Sequence, residues 1–203
     1  MNSEKFSILD LKPAQIAIGM LEVERKMNDY DQMSKDQFHA YTAAHPVPVV
    51  KSNHGYYIID HHHLCRAYHE LGHRNIFIYQ QADFSAFDKQ KFWQMMESAD
   101  WVLPQDQFGR LHPYSQLPFD IRGMADDPYR SLVCELKEQG AWHKVNVPFA
   151  EFKLANYLRD KIEISNTLES FNLAVTAAVQ LLAKLSPAER AAIPGLDAPT
   201  ATA

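Results

Sequence analysis

The sequence predicts an α+β protein, a small mixed β-sheet with flanking helices followed by a helical second half. Two observations carry that prediction: a strand, helix, strand unit between Tyr56 and Tyr79, and a change to helical periodicity beyond Phe84. A third sets the scale, because 203 residues of which 46% are hydrophobic can bury one core, or one core with a helical annex, without disulfides.

From the N-terminus, Phe6 to Leu11 alternates as a short strand, Lys12-Pro13 turns it, and Gly19 precedes a charged helix over Glu22 to Asp29. Lys35 to His45 reads as a second helix stopped by Pro46. Val47, Val49 and Val50 make a strand that Pro48 assigns to a sheet edge or a strand start. Asn53-His54-Gly55 is turn chemistry, Tyr56 to Ile59 a strand, and the helix after it runs to Leu71 with Gly72 as its stop. Ile76 to Tyr79 returns as a strand, giving the sheet its central unit.

Helical spacing resumes over Asp88 to Glu97, and an aromatic, Pro-rich connection follows from Trp101 to Phe119. Asp127-Pro128 starts a helix that Gly140 ends, since an aspartate caps the first turn and a proline there loses no hydrogen bond. Pro148 to Ile162 and Leu168 to Leu185 are two more helices, and Ser186-Pro187 opens a short last one. The expected division is residues 1–84 as the α+β domain, 85–196 as a mainly helical extension packed on it, and 197–203 as a disordered tail.

Composition narrows the function. A net charge of -5 argues against coating nucleic acid by phosphate neutralisation. Only Cys65 and Cys134 are present, in no metal-finger spacing, so neither a disulfide framework nor a thiol zinc site is encoded and a reducing compartment is expected. No signal peptide and no membrane-spanning apolar run is evident, which together make cytoplasmic residence the expectation.

Chemistry concentrates where the central strand meets its helix. Leu64, Ala67, Tyr68 and Leu71 repeat at helical spacing and should face the core, leaving His62, His63, Arg66 and His69 on a polar face. Asp60, His61 and His62 fall at the helix start, where backbone N–H groups favour anions and phosphate above all. Arg66 would add a bidentate phosphate contact, and His62 or His63 would act as acid or base. A rival reading makes Asp60 and His62 ligands of a transition metal, although adjacent histidines cannot easily converge and a distant Glu22, Glu24 or His112 would have to help.

The run from Tyr57 through Asp60-His61-His62-His63-Leu64-Cys65-Arg66-Ala67 to Glu70-Leu71-Gly72 resembles the phosphate-binding box of the ParB and sulfiredoxin superfamily. Leu9 to Pro13, His45 to Val50 and Ile76 to Tyr79 resemble the strands around that box. Gly19 to Lys26, Asp126 to Leu132 and Pro148 to Phe152 extend the resemblance to the subgroup of ParB-like nucleases. It implies binding of a nucleotide of ATP or CTP type, with Mg2+ held mainly by phosphates and one carboxylate.

On that resemblance Asp60, His61, Arg66 and Lys26 would contact phosphate, and His62, His63, Glu22 and Glu24 would supply catalytic groups. Three departures accompany it: the common box has glycine at His61, relatives that use ATP have arginine at Leu64, and Gln15 stands where the kinases have a glutamate. The implied activity is phosphohydrolysis or phosphotransfer on a small phosphorylated ligand. The alternatives are a metal-dependent nuclease, disfavoured by charge, and a nucleotide-binding adaptor without catalysis.

Overall fold

The computed structural model describes residues 4–165 and 167–196, so the expected tail at 197–203 lies outside the described residues. The chain forms two compact units, with the boundary between Asp126 and Asp127.

The first unit begins with β1 (Glu4–Ser7), a 3-10 turn over Ile8–Asp10, β2 (Leu11–Pro13) and the two-residue β3 (Ala17–Ile18). Helices α1 (Met20–Asp31) and α2 (Lys35–Ala44) follow, then β4 (Val47–Ser52) and β5 (Gly55–Ile58). Helix α3 (His62–Glu70), β6 (Asn75–Asp83), α4 (Lys89–Ser98) and β7 (Ala125–Asp126) complete it. Five strands make a mixed sheet in the order β1-β6-β4-β5-β2. The outer pair β1 and β6 is antiparallel, β6 and β4 parallel, β4 and β5 antiparallel, and β5 and β2 parallel.

The single strand expected over Phe6 to Leu11 is two strands on opposite edges of this sheet. Ile8 breaks the run by giving its N–H to the carbonyl of Arg74, and the chain then crosses to pair Leu11 with Tyr56. Pro13, expected in a turn, closes β2 opposite Ile58, where an edge strand spares it a partner for its missing N–H. Pro48 is no edge residue, because β4 lies between β5 and β6; it sits at the strand start and still accepts from Ile59 N–H at 3.1 Å.

Alternation along the strands divides the interior. Leu11, Val47, Val49 and Ile58 point to one face and pack with Leu64, Ala67 and Tyr68 of α3 and Val23 of α1. Val50, Tyr57 and Ile59 point to the other and meet Phe92, Trp93 and Met96 of α4. Residues 85–126 therefore group with the sheet and not with the later helices, so the expected boundary after residue 84 falls inside the first unit.

In the second unit α5 (Pro128–Glu138) packs on α6 (Ala150–Arg159) and α7 (Leu168–Ala183), and α8 (Pro187–Ala192) follows. Its core includes Leu132, Leu136, Leu154 and Leu158, each fully buried, together with Trp142 and Phe152. Among the described residues no helix is long and apolar enough to cross a membrane.

Candidate functional site

Between β5 and α3 the chain must turn from an extended strand into a helix within three residues. His61 accomplishes this at φ 65°, ψ 26°, as the N-cap of α3 in the left-handed region. Such a conformation costs an L-residue roughly 1–2 kcal/mol, and histidine is among the side chains that tolerate it best. The Asp60 carboxylate accepts the His61 N–H at 2.7 Å, fixing the turn. The first helical bond runs from Cys65 N–H to the His61 carbonyl, so the positive end of α3 opens at this turn.

The histidines that follow do not share one face in the way expected. His62 is only 3% exposed, and its Nε2 accepts the Ala14 N–H at 3.3 Å. That bond needs a lone pair on Nε2 and therefore assigns the proton to Nδ1. The polar-face expectation fails for His62 because the segment after β2 folds across the helix start. His63 is half-buried and its Nε2 accepts the Gly19 N–H at 3.4 Å, while the next amide, Met20 N–H, goes to the Asp126 carboxylate at 2.9 Å. The two imidazoles thus tie Ala14 and Gly19 to the start of α3. Ala14, Gly19 and Asp126 are not among the candidate catalytic or binding residues, although Gly19 and Asp126 begin two of the motif segments; the amides of residues 14, 19 and 20 that donate in these contacts leave no signal in a one-dimensional pattern.

Arg66 lies away from the helix start. Its Nε donates to Glu70 at 2.6 Å, and one terminal nitrogen donates to the carbonyls of Ile121 and Arg122 at 3.1 and 3.3 Å. With 15% of its side chain exposed, it fastens the turn at residues 121–123 to α3 and is spoken for as a phosphate clamp. On α1, Glu22 is buried and paired with Arg25 at 2.6 Å and Lys26 at 3.2 Å. Glu24 is exposed, because two residues along a helix turn the side chain to the far side. Glu22 and Glu24 therefore cannot serve one centre together, and Lys26 is engaged by Glu22. Gln15 is half-buried and forms a bridge with Leu103.

Behind the histidines, burial and the Asp60 charge push the Cys65 thiol far above its ordinary range, which removes it as a nucleophile. Among the described residues no group of three or more His, Cys, Asp or Glu side chains is arranged to hold a metal ion. Asp60 is exposed and His62 buried, so the two proposed ligands face different surroundings.

The second unit holds a charged cluster of its own. Asp127 caps α5 through Tyr129 N–H at 3.0 Å and accepts from Arg159 at 2.6 Å. Arg130 is 4% exposed and lies 3.6 Å above the Phe152 ring, with Glu151 at 4.0 Å. Asp127 with Arg159, and Arg130 with Glu151, are thus paired within the second unit.

A family model described as "Putative ParB-like nuclease" matches residues 4–160. Among solved structures, the crystal structure of protein Atu1540 from Agrobacterium tumefaciens is similar over 96% of this chain and 97% of its own, at 33% identity and a TM-score of 0.84. No curated protein matches the chain.

Proposed function

The chain belongs to the ParB-like nuclease family, and from that premise we propose that it binds a phosphate-bearing ligand of nucleotide type over the first turn of α3. The observation that carries this reading is His61 in the left-handed region between β5 and α3. A residue there with positive φ keeps the backbone path that glycine gives the phosphate box, so the replacement of glycine by histidine leaves the cradle's shape intact. The positive end of α3 then favours the phosphate charge.

Of the two tethered imidazoles, His63 is the better acid or base. It is less buried than His62, so it can exchange the Gly19 amide for a ligand hydroxyl at lower cost. His62 would have to abandon a buried amide to take a proton, and it serves as a tether. Mg2+ would arrive with the phosphates, and Asp60 is the exposed carboxylate nearest in sequence to the helix start that could join them. Arg66 contributes by holding residues 121–123 and not by touching phosphate.

The test is a thermal-shift and calorimetric titration with ATP and CTP, each with and without Mg2+. One of the two should stabilise the protein. His61→Gly should bind it as the parent does, because glycine adopts the same φ freely. His61→Val should lose about tenfold or more in affinity, since a β-branched side chain strains that position. Absence of any stabilisation by either nucleotide would overturn the proposal. Steep salt-dependent DNA binding with cleavage would move the reading to a nuclease.

A further inference from the structure

The sheet face opposite α3 carries a cavity of about 260 Å³ that no part of the α3 reading uses. Lys12 reaches it because its neighbour Leu11 is committed to the α3 face, and strand alternation sends the next side chain the other way. Tyr57, opposite Lys12 in the register, forms part of the same wall with Trp93 at 5.1 Å, and Trp93 stacks on Tyr114 at 4.4 Å. Phe119, on the rim, is 79% exposed. The Lys12 ammonium lies between two rings, 5.7 Å from Tyr57 and 5.8 Å from Phe119.

Charge is the unusual feature. Lys12 and Lys89 both line the cavity, and among the described residues its lining includes no aspartate or glutamate, although the chain carries a net charge of -5. Lys12 gives one hydrogen bond to the His54 carbonyl at 2.8 Å, and neither lysine is in an ion pair among the described residues. Two cations beside aromatic walls, with the neighbouring Glu97 engaged by the Tyr114 hydroxyl, raise the local potential and favour an anion that can also cover apolar surface. Burial and a hydrogen bond to Glu97 hold the Tyr114 phenol above its ordinary value, so it stays a neutral wall. At about 260 Å³ the cavity is slightly smaller than the roughly 300–1,000 Å³ of drug-sized ligand sites, which suits one ring system with one charged group.

We propose that this cavity is a second binding site, separate from the start of α3, for a small planar anion: an aromatic ring bearing a carboxylate or a phosphate. The ring lies against Tyr57 and Phe119, and Lys12 and Lys89 receive the charge. Carboxylate and phosphate share this chemistry, and the experiment separates them.

The full chain is titrated calorimetrically with indole-3-carboxylate, phenyl phosphate and the neutral indole-3-carboxamide. At least one anion should bind with a Kd of about 1 mM or tighter, the one that binds more tightly naming the source of the charge. The carboxamide should bind about tenfold more weakly than the carboxylate, or not measurably. Lys12→Met and Lys89→Met should each weaken the anion about threefold and the double variant about tenfold, with an unchanged Tm showing that the fold is intact. Equal binding of the carboxamide, full affinity in the double variant, or no binding of either anion by about 5 mM would each overturn the proposal. Nucleotide stabilisation at α3 is read separately in the same variants and should be unaffected, so failure at one site is distinguishable from failure at the other.

Discussion

The histidines around α3 differ in what surrounds their rings, and that difference, hidden from the sequence, decides what each can do. The run His61-His62-His63 singles out the start of α3, but residue spacing cannot report that Ala14 N–H closes over His62 while His63 stays half-buried. It also cannot report φ: His61 sits in the left-handed region that glycine enters freely and histidine tolerates. His73, just past the end of α3, shows what burial does to a ring without an acidic partner. It stacks on Phe38 at 4.1 Å and 17°, and burial lowers its pKa below the ordinary value. The unfolded chain therefore takes up a proton near pH 6.5 that the folded chain refuses until lower pH. Stability attributable to His73 is complete above about pH 6.5 and is lost as pH falls through the folded pKa. His73→Phe, which keeps the stack, should remove that dependence. Urea midpoints of parent and variant between pH 7.5 and pH 5 should shift against the parent on acidification, and a constant difference would contradict this account.

At the scale of elements, the unit from β5 through α3 to β6 was legible because three signals agree there: turn residues at 53–55, a β-rich run, and a helix ended by Gly72 at φ 83°. The region before it was less so. Phe6 to Leu11 alternates like one strand, and nothing local reveals that Ile8 pairs with Arg74 and redirects the chain to the far edge of the sheet. Pairings such as β3 with β7, more than a hundred residues apart in register, leave no local trace either. The role of Arg66 as a link is hidden for the same reason, since its carbonyl partners at 121 and 122 are distant in sequence. As a strut between α3 and that turn, it loses one ion pair and its carbonyl contacts in Arg66→Met. The expected cost is roughly 1–3 kcal/mol in urea unfolding, as for a partly buried charged hydrogen-bond donor. Amide exchange should accelerate at Gly123 and Ala125, whose N–H groups bond to Asp120 and Ile16. A phosphate clamp would behave otherwise, with nucleotide affinity abolished and exchange at 121–125 unchanged.

At the scale of the molecule, composition and periodicity announced a sheet followed by helices, yet the boundary drawn from them, after residue 84, differs from the one that packing draws. The change in character beyond Phe84 is real, but it marks the start of α4 and of an irregular connection, and both belong with the sheet. Phe92 and Met96 of α4 are buried beside Val50 and Tyr57, and Ile121, fully buried, joins the core on the α3 face. A chain ending at residue 84 would expose both surfaces: Val50 and Tyr57 would lose their helix, and Arg66 its carbonyl partners. One ending at Asp126 keeps every one of these contacts and retains β7 against β3. A fragment of residues 1–126 should accordingly unfold cooperatively in urea and show a structured near-ultraviolet spectrum from Trp93 and Trp101, whereas residues 1–84 should do neither. Cooperative folding of the shorter fragment would mean that α4 and the 101–126 segment are dispensable to the sheet, and that the boundary suggested by sequence is the physical one.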